Sequence, residues 1–400
     1  MPAPAASLEP PPLAIVSGRV IPVASAPIEE GTVLLRGGRI EAVGADISVP
    51  SDAEVIDAAG RWVLPGFIEA HAHAGIHEES SGGAGDDTNE SSAPVLPGLR
   101  ALDAINIEDP GFDDALHGGI TTVIVKPGSS NVFGGQTVAL KTAGGPTVDD
   151  RILSDAVSLK SAFGENPTSA HGGSGRTPMT RMGIAMLIRQ TLEDARHYRA
   201  RRDIAASEGA PFAVDLGQET LVRLLEGELI WDVHAHRHDD IASALRIAEE
   251  YGLRLVINHG TEAYKLVDRI AERGLPVIVG PTLSARTKVE LQGSRASTPA
   301  ALTAAGVQVA LITDHPQVPI HLLRVQAAVA VRAGLGREDA MRAITSTPAE
   351  IYGLQDRVGS LRPGADADVV IWSGDPLDLQ SQAMHVIIAG QTAHLAGGAA

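Results

Sequence analysis

Two histidines separated by one alanine, His71-Ala72-His73, close the run Val63-Leu64-Pro65-Gly66-Phe67-Ile68-Glu69-Ala70. In a strand, side chains at i and i+2 share a face, so both imidazoles can hold one ion; the alternative is a pair of solvated strand-end histidines. The pair is not isolated. Apolar runs elsewhere end in His234-Ala235-His236, in Asn258-His259 and in Thr313-Asp314-His315, and Lys160 is followed by Ser161-Ala162-Phe163-Gly164-Glu165. The chain has no cysteine, which removes disulfides, thiolate nucleophiles and sulfur-ligated zinc and leaves nitrogen and oxygen ligands. A divalent ion on such ligands lowers the pKa of bound water and polarises a carbonyl, and a neighbouring aspartate can carry the proton. Asp314 is the residue expected to do so; its other reading is an N-cap for a following helix.

Positioning these groups requires strand ends that converge. The strands expected are Val63 to His71, Ile120 to Val125, Thr137 to Lys141, Ile152 to Ala162, Ile230 to His236, Arg254 to His259, Leu275 to Gly280 and Val307 to Thr313. Helical patterns fit at Met182 to Arg202, Gln218 to Glu228, Asp240 to Tyr251, Ala263 to Arg273 and Ile320 to Ala333. Eight strands alternating with helices predict an α/β fold, a (β/α)8 TIM barrel, whose chemistry sits at the C-terminal strand ends. Short β-rich runs between Leu13 and Leu64, and again from Val369 to Ile388, lack the apolar surface for separate cores. They are expected to pair as a small composite β-sandwich domain built from both termini. The resulting division is 1–66 and 357–400 for that domain and 67–356 for the barrel.

The chain has 400 residues, 44% of them hydrophobic, with a formal charge of −17, which describes a folded acidic chain rather than a disordered one. No basic face is available for a nucleic-acid partner, and no apolar run approaches the roughly 20 residues of a membrane span. Met1 to Pro12 reads as a loose arm without the basic and apolar regions of a signal peptide. A small-molecule substrate and a cytoplasmic setting are therefore expected, with homo-oligomerisation open. Only five residues are lysine, Lys126, Lys141, Lys160, Lys265 and Lys288, so a lysine at a buried strand end stands out.

The run from Pro65 to His73, the Thr313-Asp314-His315 ending and the return Gly359-Ser360-Leu361-Arg362-Pro363-Gly364-Ala365-Asp366-Ala367-Asp368 resemble the amidohydrolase superfamily. The likeness is to its imidazolonepropionase-like group, related to metal-dependent dipeptidases, and it covers nearly the whole chain. It implies one or two divalent ions, zinc before Mn, Fe or Ni, with His71, His73, His234, His259 and Asp314 as ligands and Asp314 also as proton shuttle. Lys160 falls where many relatives carry a carbamylated lysine (N6-carboxylysine) bridging two metals, with Glu165 as the alternative bridge. His236 is expected near the substrate or behind His234. Asn131 in the glycine-bearing loop Pro127 to Gln136, Arg176 and Arg181 as carboxylate clamps or else surface arginines at a helix start, and Tyr264 as a partner for a substrate carbonyl or else a packed core or rim residue, are the other substrate-side candidates, whereas His77, His238 and His315 read as facing loops or solvent, with His315 alternatively orienting Asp314. The implied reaction is hydrolysis of an amide or cyclic amide C–N bond. The alternatives are deamination of a cyclic amidine or aminated ring, and a non-catalytic scaffold.

Overall fold

A computed structural model describes residues 10–397; residues 1–9 of the expected N-terminal arm lie outside the described part. Five strands open the chain: β1 (Leu13–Val20), β2 (Ile28–Arg36), β3 (Arg39–Gly44), β4 (Glu54–Asp57) and β5 (Trp62–Pro65). Eight follow: β6 (Phe67–Ala72), β7 (Ile120–Val125), β8 (Phe133–Lys141), β9 (Ile152–Ala162), β10 (Ile230–Ala235), β11 (Leu255–His259), β12 (Val277–Val279) and β13 (Val309–Leu311). The last are β14 (Val369–Trp372), β15 (Ala383–Ile388) and β16 (Gln391–Leu395).

The two terminal groups pair into one sheet in the order β16-β15-β14-β5-β1-β2-β3, with β4 also on β1. β14 runs antiparallel to β5, which joins the two ends of the chain. Its apolar face buries Ile15, Val33, Leu35, Val63, Val369 and Ile387.

The strand expected from Val63 to His71 is broken at Gly66: β5 belongs to the terminal sheet and β6 to the barrel. A Cβ at Gly66 would stand 2.0 Å from Thr121 Oγ1, so only glycine lets the chain cross from one sheet to the other there.

β6 to β13 form the second eight-stranded sheet in sequence order, nearly closed on itself. It departs from the all-parallel barrel in one place. β8 is antiparallel to both β7 and β9. Parallel neighbours need a crossover of roughly a dozen or more residues, and the connection after Val125 is only residues 126–132, so the chain turns straight back. That hairpin loop consequently lies over the strand ends rather than beneath them.

Helices cover the outside, the longest being Arg181–Glu208, and the expected helices after β10, β11 and β13 are found with shifted ends. Among the described residues none is long and apolar enough to cross a membrane. Inside the barrel, Ile68, Ile124, Ile230, Val256, Ile278 and Ala310 make an apolar floor with Ala349, Ile351 and Tyr352 from the C-terminal end of the barrel segment.

No ladder joins β13 to β6 among the described residues, and a buried carboxyl spans the seam instead. Glu69 Oε1 accepts from His71 N (3.0 Å), and its Oε2 accepts from Thr313 N (2.9 Å) and Thr313 Oγ1 (2.7 Å). Burial pushes this carboxyl up to about 8 despite those three donors. The clamp ties the backbone of one candidate ligand, His71, to the residue preceding another, Asp314.

Candidate metal centre

The histidines rise from a polar layer above the apolar floor. Lys126, at the end of β7, donates to Asp232 Oδ2 (2.7 Å), Asn258 Oδ1 (3.1 Å) and Tyr352 Oη (2.7 Å), all buried. Ser158 donates to the same aspartate oxygen, 3.1 Å away. Burial lowers the Lys126 ammonium, and Asp232 opposes that shift. Removing one partner of a buried ion pair leaves the other uncompensated, typically at about 3–5 kcal/mol. Lys126→Met is accordingly expected to lower the unfolding free energy by about that amount in urea titration; an unchanged midpoint would remove the network from the account of stability.

Above this layer each ring is held through one nitrogen. His71 Nδ1 meets Asn258 Oδ1 (2.9 Å), His73 Nδ1 meets Lys126 O (2.7 Å) and His259 Nδ1 meets Gly280 O (2.9 Å). His236 Nδ1 meets Thr261 Oγ1 (2.8 Å), and His234 Nδ1 meets Ser129 Oγ (3.0 Å). The carbonyl oxygens at His71, His73 and His259 make Nδ1 the donor in those rings and leave the Nε2 lone pair for an ion, whereas the hydroxyls at His236 and His234 can play either part. His71 Nε2 lies 3.4 Å, and His73 Nε2 3.5 Å, from Asp314 Oδ1. His259 Nε2 is buried without a partner, an expensive state for a polar atom unless an ion completes it.

Two groups result whose ligand atoms converge: His71, His73 and Asp314, and His234, His236 and His259. The groups adjoin, with the His71 and His259 rings 5.0 Å apart across them. Burial pushes His71, His234 and His259 well below the ordinary histidine range, helped by neighbouring Lys160 and histidines, and takes His236 down to about 4. All four are neutral at pH 7, the form that can bind a cation. Burial raises the Asp314 carboxyl, but the groups around it, His73 first and Lys160 among the others, outweigh that and hold it below the ordinary aspartate value. Its backbone is not that of an N-cap: the next helical turn begins only at Ile320. Asp314 and His259 both adopt left-handed backbone, at φ 54° and 68°, a conformation that costs a non-glycine residue of order 1–3 kcal/mol and clusters at functional sites.

Lys160 is fully buried between the groups, its Nζ 3.4 Å from His71 Nε2 and 3.2 Å from Pro127 O. Burial brings its ammonium down to about 8, with Asp232 opposing. Glu165 begins the helix Glu165–Gly172 and joins neither convergent group; its backbone N donates to Glu290 Oε2 (3.0 Å).

A cavity of about 350 Å³ opens over the histidines, lined among others by His73, Ser129, Asn166, His236, Lys288 and Asp314. His236 thus reaches the cavity, but four substrate-side expectations do not. Asn131 is buried behind the loop between Glu90 O and His171. Arg176 reaches outward to the carbonyls of Ser91 and Ser92, Arg181 is paired with Asp240, and Tyr264 lies under the guanidinium of Arg295. Each guanidinium or ring is already satisfied by a local partner. His77 lines the cavity on a loop with its side chain 35% exposed, whereas His315 is buried and not a solvent-facing loop histidine.

Other residues with no expectation attached stand around the histidines. Glu290 is buried, with its unpartnered Oε1 3.9 Å from His234 Nε2 and 3.8 Å from His236 Nε2. Asn166 Nδ2 lies 3.4 Å from His234 Nε2, and its Oδ1 accepts from Lys288. The scarcity of lysine could have pointed to Lys288; Glu290 sits in a polar stretch that carries no signal of burial.

A profile of the amidohydrolase family matches residues 184–394. The crystal structure of an amidohydrolase from Thermotoga maritima superposes with a TM-score of 0.93 at 43% identity, covering 96% of this chain and 100% of that one. The amidohydrolase tasK of Hapsidospora irregularis is 29% identical over 388 residues, 90% of this chain but only 39% of that much longer protein. An imidazolonepropionase from Acidiphilium cryptum is 27% identical over 376 residues, 88% of this chain and 89% of its own.

Proposed function

Because this chain belongs to the amidohydrolase family, we propose that it hydrolyses an amide or cyclic amide C–N bond in a small molecule at the cavity over the histidines. The observation that carries this reading is the convergence of Nε2 atoms whose rings are pinned through Nδ1, with His259 Nε2 buried and unpartnered.

His71, His73 and Asp314 would hold one divalent ion, and His234 and His259 a second, with Lys160 as N6-carboxylysine between them. The 3.4 Å approach of Lys160 Nζ to His71, and its lowered ammonium, support Lys160 over Glu165, since only the neutral amine adds to CO₂. All these ligands are nitrogen or oxygen donors, which suits zinc. When bound, such ions lower the pKa of water and polarise a carbonyl.

Asp314 is the group that takes a proton from the attacking water and delivers it to the leaving nitrogen, because its carboxylate stands at the cavity beside both His71 and His73. Ser129 and Asn166 hold His234 from two sides. The cavity volume fits a small molecule rather than a polymer. The imidazolonepropionase likeness favours a ring amide among the candidates.

Protein purified with its metal is expected to open hydantoin or lactam rings, or to cleave N-acyl amino acids or dipeptides. Dialysis against a chelator should abolish this, and added zinc restore it. Turnover that survives removal of all metal would overturn the reading. Ammonia released from an aminated ring without amide cleavage would replace it with the deaminase reading.

A further inference from the structure

We infer that Lys288 anchors a carboxylate carried by the substrate, so that this site selects amides or cyclic amides bearing an acidic group close to the scissile bond. The inference rests on the hydrolytic reading above and adds the chemical class of what is hydrolysed.

Three side chains that are formally charged at pH 7 line the cavity: Asp86, Asp314 and Lys288. Asp86 accepts from Thr88 and faces His77 at 3.5 Å, and Asp314 is engaged with His71 and His73. Lys288 is different. Its ammonium donates to the amide oxygen of Asn166, and among the described residues it pairs with no carboxylate.

The other lysines show how unusual that is. Lys126 pairs with Asp232, Lys141 with Asp366 and Asp368, and Lys265 with Glu262. The two left without a carboxylate, Lys160 and Lys288, both belong to the candidate site. In a chain with 49 acidic and 32 basic residues, an ammonium on a cavity wall that has found no carboxylate of its own is placed for one that arrives from outside.

Its position also suits the reaction. Asn166 takes Lys288 on its oxygen and approaches His234 Nε2 with its nitrogen, at 3.4 Å. Lys288 is therefore one amide side chain away from the histidines. A partly buried ammonium with two spare donors binds a carboxylate more strongly than an exposed one would, because water screens the pair less. The lining offers a single cation and no arginine fork, which matches a monoanionic carboxylate rather than a phosphate.

The test compares matched pairs of probes, N-acetyl amino acids against the corresponding N-acetyl amino alcohols, and carboxymethyl hydantoin against hydroxyethyl hydantoin, on the zinc-loaded protein. The acids are expected to exceed the alcohols in kcat/KM by about 10- to 100-fold, as one charge-assisted contact implies. Lys288→Met should bring acid and alcohol level, with the loss falling on KM. Lys288→Arg should keep the preference, and Lys288→Glu should reverse it. Equal kcat/KM for acid and alcohol in the parent protein, or a preference that persists in Lys288→Met, would overturn the inference. If no probe is hydrolysed, the hydrolytic reading fails separately, and calorimetric binding of the same pairs decides on Lys288. Tighter binding of acids that disappears in Lys288→Met supports it, and no binding or equal binding overturns it.

Discussion

The variant carrying both His71→Ala and His73→Ala is expected to lose the ion that these residues would hold and to turn over at least about 10³-fold more slowly, since an ion in such a centre supplies several kcal/mol of transition-state stabilisation. Both rings direct Nε2 at Asp314 Oδ1, and both are pinned through Nδ1, so neither can swing to cover for a missing partner. His71 is fully buried, and its loss leaves Asn258 Oδ1 short of one contact. His73 is 12% exposed and anchored on a backbone carbonyl, so His73→Ala alone gives a variant in which folding and chemistry separate cleanly. Elemental analysis of metal per chain, with circular dichroism as the control for folding, is the measurement. Full metal content together with parental turnover in the double variant would refute the assignment of these ligands.

Asp314→Asn should lower kcat by about 10²- to 10⁴-fold, the usual contribution of a positioned general acid–base group, while KM changes little. The amide keeps the shape of the carboxylate and a contact with His73, but it cannot accept and return a proton. The left-handed backbone at Asp314, φ 54°, is one that asparagine tolerates nearly as well, so the fold should survive. The Glu69 clamp on Thr313 keeps the segment in place in either variant. Single-turnover kinetics on a substrate found by the panel described above would locate the loss. If KM rose and kcat stayed at the parental value, Asp314 would be a binding group and not the proton carrier.

Much of this was legible from residue types and spacing. His71 and His73 are two apart in a strand, and the pleat puts them on one side wherever the strand goes. His234, His259 and Asp314 end apolar runs, and strands of a barrel bring their C-terminal ends to one rim. Those are consequences of local geometry and connection rules. The antiparallel β8 was not legible: the strand expected there began at Thr137, and only its actual start at Phe133 shortens the connection to residues 126–132, too few for a crossover.

Other features depend on which way a side chain packs, and spacing carries no information about that. Arg176, Arg181 and Tyr264 have the right chemistry and lie near the site in sequence, yet each is spent on a local partner facing away from the cavity. Glu290 and Lys288 lie in a polar segment without a pattern that signals burial; Lys288 joins the cavity wall, and Glu290 comes close to His234 and His236, only because that segment folds back against Asn166 and Gly164.

The sequence by itself determined the class of chemistry, because ligand types and strand-end periodicity are local properties that survive any arrangement of the helices. Only the tertiary structure decided how these groups are divided and what faces them: two convergent triads with His236 in the second, Lys160 and not Glu165 beside His71, and one ammonium without a carboxylate on the cavity wall. Those depend on contacts between residues more than a hundred positions apart, where distance, burial and the choice of hydrogen-bond partner are set by packing.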